Sequence, residues 1–210
     1  MEKFFNANMV DSLALALPER AVFSRLGRNR FLSDISNAEE SRLKLLMNQA
    51  FAVIHPRGCW RLLKIAQRSN DAVILDNGVE LKSAAFAGFA RLADYLWLGG
   101  VSIGGGIAEL LEKYSDNMSK SVVFDAVGSE CADEAVGNLQ KIAAAALIRY
   151  NLVLDKARFS PGYGNLNLTV QRDIFNLLPM NQLGVSLTES CIMVPEKSVT
   201  AFAVVNKLTV

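Results

Sequence analysis

The segment RFSPGYG, residues 158–164, places an arginine, a proline-glycine pair and a tyrosine around one bend. Each has a use in ligand binding. A guanidinium can grip a carboxylate through two parallel hydrogen bonds. Pro161 fixes one φ angle, and Gly162 lets the backbone approach a second molecule closely. The face of Tyr163 attracts a cation, and its edge packs on a planar ring. A ligand carrying a carboxylate, a cationic centre and a purine would use all three features. The same residues also make an ordinary Pro-Gly turn in which Arg158 simply covers Tyr163. The residues alone leave both readings open.

Other chemistries find less support. The chain has one histidine, His55 in HPRGCW, so a Ser-His-Asp hydrolase or a multi-histidine metal site would depend on that single residue. No G-x-S-x-G elbow accompanies it, and a partly exposed turn histidine is the expectation. The run VSIGGGIAELLEK joins a β-prone piece, three glycines and a helix, the order of a phosphate-binding turn. Its spacing is not G-x-G-x-x-G, and no Lys-Ser/Thr pair follows. A tight turn needing positive φ is therefore expected at Gly104–Gly106. Cys59, Cys131 and Cys191 are odd in number and far apart, with neither zinc spacing nor a disulfide framework.

The totals set further bounds. The 210 residues carry a net charge of +1 with no basic run, which leaves nucleic-acid binding unsupported. No apolar stretch reaches bilayer length. The start, MEKFFNANMV, lacks the basic region and apolar core of a signal peptide, so a reducing, cytoplasmic setting is expected.

The elements that must hold the bend follow from local signals. Residues 1–35 read as helical pieces, an N-terminal extension to one domain spanning 1–210. Ser36 with Glu39 forms a capping box that opens a helix through about Val53. Asp76-Asn77-Gly78 marks a hairpin. SAAFAGFARLADYLW reads as helix, LGGVSIGGG as a short β-prone piece, and residues 120–150 as a long helix whose alanines pack closely. NLVLDKARFS reads as a strand and PGYG as a turn. LTVQRDIFNLL reads as a helix capped by Asn167, and QLGVSLTES and SVTAFAVVN as strands. The irregular alternation, with more hairpin signals than strand-helix-strand units, predicts an α+β fold with a largely antiparallel sheet.

The chain resembles the activation (reactivation) domain of vitamin B12-dependent methionine synthase. That family carries R-P-A-P-G-Y-P, a helix, and then L-T-E-S-x-x-M-x-P-x-x-S-V. This chain matches at Arg158, Pro161, Gly162 and Tyr163, and again at Leu187, Thr188, Glu189, Ser190, Met193, Pro195, Ser198 and Val199. The close resemblance covers roughly residues 152–205. It implies a C-shaped α+β domain that binds S-adenosylmethionine, a ligand with the carboxylate, cation and purine described above. It also implies action on a cobalamin-binding methionine synthase or another corrinoid protein. There a flavodoxin-type donor supplies an electron to oxidised cobalt, and S-adenosylmethionine supplies the methyl group. The resemblance gives Arg158 the ligand's carboxylate, the backbone of Ser160 and Gly162 the adenine, and Tyr163 the cleft facing the corrin. A family carboxylate on the preceding helix falls on Glu130 or Glu134. Glu189 is a further candidate, with a satisfied strand acid as its alternative. Cys191 and Met193 are expected to be core.

Three departures are visible. Leu152 stands where the family has an acid six residues before the arginine, and Asp155 is offset to the other strand face. NLNL replaces a Cys-Pro-x-His segment. The family's late aromatic pair has no counterpart in VVNKLTV. Two readings follow, a free-standing reactivation module that binds S-adenosylmethionine and a non-catalytic adaptor that docks on a corrinoid protein. A self-contained methyltransferase using the Gly104–Gly106 turn ranks last.

Overall fold

A computed structural model describes residues 1–27 and 36–208. In chain order its strands are β1 (Asn8–Val10), β2 (Arg57–Arg68), β3 (Ala72–Leu75), β4 (Glu80–Lys82), β5 (Tyr95–Ser102), β6 (Leu152–Leu154), β7 (Ser186–Leu187), β8 (Met193–Val194) and β9 (Ser198–Lys207). Its helices are α1 (Glu19–Arg25), α2 (Asn37–Phe51), α3 (Ala84–Phe89), α4 (Gly106–Lys113), α5 (Met118–Leu147) and α6 (Val170–Leu177). The main sheet runs β4-β3-β2-β5-β9-β6, with β1 paired to the first part of β2 on the edge whose last part holds β3. Every pairing among the described residues is antiparallel. The result is the α+β fold with a curled antiparallel sheet that the sequence predicts.

Both faces of this sheet are buried, and strand alternation sorts the side chains between them. Trp60, Leu62, Trp97, Val101, Ala201, Ala203 and Val205 meet α2, α4 and α5 on one face. Leu63, Leu96, Leu98, Phe202 and Val204 meet α3 and α6 on the other. The long helix α5 buries Val127, Cys131, Ala135, Leu139 and Ala143 along one stripe, as its small residues predict. Ser36 caps α2 by accepting from the Glu39 amide at 3.2 Å, and β3 and β4 form the Asp-Asn-Gly hairpin.

Five segments differ from the sequence reading. Sequence puts helical pieces through residues 1–35, yet Asn8–Val10 pairs with Gly58–Trp60 because that edge of β2 offers open backbone groups. Residues 28–35 lie outside the described residues. SAAFAGFARLADYLW is helical only over Ala84–Phe89, and from Tyr95 its aromatic and aliphatic residues enter the central strand β5 between β2 and β9. The predicted strand NLVLDKARFS shortens to Leu152–Leu154, followed by one bridge at Phe159. QLGVSLTES gives only two strand residues, after a 3-10 turn over Met180–Leu183. Asn167 stands two residues before the N-cap of α6, which is Thr169: its side chain accepts from the Thr169 amide at 2.9 Å, and α6 begins at Val170.

Candidate ligand site at the Arg158–Leu166 loop

The loop after β6 is tied to the scaffold on three sides. Phe159 exchanges two backbone hydrogen bonds with Phe202 of β9, at 2.9 and 2.8 Å. Its ring packs edge-on against Phe86 of α3, which does the same with Phe202. The Ser83 hydroxyl accepts from the Phe86 amide to cap α3 and donates to the Gly164 carbonyl at 2.5 Å. On the third side Arg158 reaches α5, where Nη1 donates to Gln140 Oε1 at 3.0 Å. Gln140 is only 7 % exposed, and its Nε2 donates to the Asp155 carbonyl at 2.5 Å.

Inside these ties the loop closes on itself. The Gly162 amide donates to the Leu166 carbonyl at 2.7 Å, the Leu166 amide to Tyr163, and the Tyr163 amide to Ser160. Gly162 has φ 91°, the conformation for which glycine is suited. Tyr163 projects outward, 72 % exposed. Arg158 is not spent on covering it: its Nη1 lies by Gly137, where a side-chain carbon would stand 3.6 Å away. Among the described residues Arg158 has no carboxylate partner and no second hydrogen bond. It is an exposed cation held by a neutral amide, with Nε and Nη2 left to donate.

The other candidates fall elsewhere. Glu130 lies two turns before Gly137 on α5, about 10 Å along the axis at helical rise, and pairs with Arg25 at 2.5 Å. Glu134 pairs with Lys141 at 3.6 Å. Glu189 occupies the turn between β7 and β8, where its side chain is exposed and its carbonyl accepts from Arg172 of α6 at 3.0 Å. That turn is built by Thr188, whose hydroxyl accepts from the Ile192 amide at 3.0 Å. Arg158, Ser160, Gly162 and Tyr163 thus lie on one loop, with the Arg158 side chain turned to Gln140 and Gly137 of α5, whereas Glu130 and Glu189 stand on other elements. Leu152, in place of the family acid, is 2 % exposed in the core beside α5, so no carboxylate faces Arg158 from there. The Asp155 carboxylate is taken up by the Ala157 amide at 2.9 Å.

Sequence reasoning missed Gln140 and Ser83. A glutamine inside the buried stripe of α5, four residues after Val136 and three before Ala143, was the available signal. Ser83 gave less warning, because its partner Gly164 is distant in sequence.

The remaining features are structural. Gly104 has φ 84°, the tight turn expected there. His55 is exposed in the turn after α2, and its amide donates to Ile103. The three thiols are free and buried, and burial pushes those of Cys59 and Cys131 up to about 12. Met193 packs at the margin of the second core. No group of metal-ligating side chains occurs among the described residues. No described helix is long and apolar enough to cross a membrane. Two shallow grooves of about 380 and 420 Å³ lie along the start of α5 near the end of α1, the first walled by α2 and the second by Leu111 of α4, and neither is lined by the loop.

Comparison with known proteins identifies the fold and the family. No curated protein matches the sequence. The chain is similar in fold to the crystal structure of the MetH reactivation domain bound to AdoHcy, with TM-score 0.67 and 18 % identity, over 95 % of this chain and 78 % of that one. The family model for the vitamin B12-dependent methionine synthase activation domain matches residues 87–208, from the end of α3 through β9, and so takes in both motifs, the long helix and the loop. The chain therefore belongs to the vitamin B12-dependent methionine synthase activation domain family.

Proposed function

We propose that this protein binds S-adenosylmethionine at the Arg158–Tyr163 loop and supports reductive methylation of oxidised cobalamin carried by a partner methionine synthase. The observation that carries the reading is Arg158 itself, an exposed residue with no carboxylate partner among the described residues and with two donor nitrogens free, on the same loop as an outward-facing Tyr163. Those nitrogens fit a carboxylate, the group at the amino-acid end of the ligand. The Gly162 amide is already used by Leu166, so any contact from Gly162 to adenine is made by its carbonyl, which accepts from an exocyclic amine. When bound, S-adenosylmethionine supplies an electrophilic methyl group and the partner's cobalamin supplies the metal that receives it. The protein's part is to hold and orient. Arg158 fixes the carboxylate end, the loop backbone meets the adenine, and Tyr163 stands toward the incoming corrin. Glu130 contributes only if its contact with Arg25 is exchanged for the ligand's amine, and Glu189 only from the separate turn between β7 and β8. A flavodoxin-type donor would supply the electron, and the setting would be cytoplasmic.

The test is calorimetric titration of the full chain with S-adenosylmethionine and AdoHcy, beside Arg158→Ala. Saturable binding that is strongly weakened in the variant supports the reading. An absence of heat at millimolar ligand rejects it.

Buried Leu152 favours a second reading, an adaptor that docks on a corrinoid protein and takes no small molecule. Binding to a cobalamin-loaded methionine synthase that is indifferent to S-adenosylmethionine and to Arg158→Ala would establish it.

A further inference from the structure

We propose that Gln140 is the positioning residue of this site, and that its neutrality keeps Arg158 available to an anionic ligand. The inference rests on the reading of Arg158 as the carboxylate-binding group. Gln140 is buried, and both ends of its amide are used: Nε2 donates to the Asp155 carbonyl, and Oε1 accepts from Arg158 Nη1. The two contacts fix the amide's orientation, since the flipped form would set an NH₂ against the guanidinium and a carbonyl against a carbonyl. The guanidinium is thereby anchored at one nitrogen, and Gly137, one turn earlier on α5, leaves the adjoining surface flat.

A carboxylate could supply the same acceptor. It would also neutralise Arg158 and compete with any incoming anion. An amide gives the geometry without that charge. The rest of the surroundings agree: Leu152 is apolar, the Asp155 carboxylate is occupied by the Ala157 amide, and Glu134 pairs with Lys141 on the same helix. The site as built holds one positive charge fixed in direction and not cancelled.

The test uses the full chain with Gln140→Glu and Gln140→Met, titrated with AdoHcy and with methylthioadenosine, which keeps the adenosine and thioether but lacks the carboxylate. Both variants are expected to weaken AdoHcy by roughly tenfold or more, the scale of a hydrogen bond to a charged group. Methylthioadenosine affinity is expected to stay within about twofold. In an Arg158→Ala background the Gln140→Met effect is expected to vanish, because the two residues act as one unit. Equal losses for both ligands, additive losses in the double variant, or an unchanged AdoHcy affinity would each overturn the proposal. So would unfolding of both variants, which would assign Gln140 to the fold alone. Wild-type protein that binds no AdoHcy defeats the functional reading and this inference together. Wild-type binding with indifferent Gln140 variants defeats only the inference.

Discussion

Two glycine-bearing turns in this molecule look alike in sequence and differ in what surrounds them. At Gly104–Gly106 the chain passes from β5 into α4, and the turn is filled by the end of α2. A side-chain carbon on Gly106 would stand 2.5 Å from the Val53 carbonyl and 2.8 Å from Val53 Cβ. At Ser160–Leu166 the turn carries an exposed Tyr163 and, at its base, Arg158 without a carboxylate partner among the described residues. The first turn uses glycine to let two backbones touch. The second uses Gly162 to reverse direction on its open side, while at Gly164 a side-chain carbon would stand 2.6 Å from the Phe159 ring and 2.9 Å from Ala85 Cβ. Glycine content therefore says that the backbone is special, and only the charge and exposure around it say whether a ligand is involved.

Substitutions can pull the two turns apart. The largest effect should come from Phe86→Ala, which removes the fully buried ring on which Phe159 and Phe202 rest. A loss of about 4 kcal/mol is expected for a buried aromatic, read by denaturant melts, with ligand binding lost through the displaced loop. Gly106→Val should cost about 3 kcal/mol, because the clash is with backbone and cannot be relieved by a side-chain rotation. Yet AdoHcy affinity of the fraction that remains folded should be unchanged. A Gly106 variant that folds normally but loses ligand would reverse the assignment of the two turns.

Alkaline pH acts on the scaffold shared by both. Cys59 and Cys131 have thiols raised by burial to about 12 from an ordinary value of 9.0. The unfolded thiols ionise first, so their contribution to stability is complete below about pH 9 and is lost as pH climbs toward 12. Denaturant midpoints should be flat across neutral pH and fall above about pH 9. A native protein whose Cys59 and Cys131 react quickly with a thiol reagent at pH 7.5 (roughly neutral conditions) would contradict this burial.

Effects on stability should be smallest at the open turn itself. Arg158→Ala should lower stability by less than about 1 kcal/mol, the range for an exposed side chain with one neutral partner, while weakening AdoHcy by roughly a hundredfold. Tyr163→Ala should leave stability within about 0.5 kcal/mol, and any defect should emerge only with the corrinoid partner present. If Tyr163→Ala melts the isolated protein, the ring is structural and the outward-facing role given to it is wrong.

How much of this was legible beforehand depends on how local the cause was. Ser36 with Glu39 and Asp76-Asn77-Gly78 specify their structures through neighbours in the chain, and both formed as read. The Arg158 and Leu187–Val199 motifs likewise fix the family, because two short patterns in order are more specific than one. What sequence could not show was set by distant partners. Tyr95–Leu98 reads as a helix continuation until β2 and β9 claim both its edges. Gln140 reads as one polar residue in an apolar stripe until Arg158 and Asp155, 18 and 15 residues away, take its two ends. Glu130 is one of two acids, with Glu134, that the resemblance offers, and its pairing with Arg25, 105 residues earlier, has no local signal.

The three ties on the Arg158 loop bear on thermodynamics as well as on geometry. A binding loop that is mobile when free must be ordered at the moment of association, at about 0.5–1.5 kcal/mol for each rotamer-rich side chain immobilised. Here Phe159 is already paired to the sheet, Gly164 to Ser83, and Arg158 to Gln140. That entropy is surrendered when the chain folds. A ligand arriving at this loop meets a surface already in its working shape, so the amides of Phe159 and Gly162 should exchange with solvent as slowly before binding as after it.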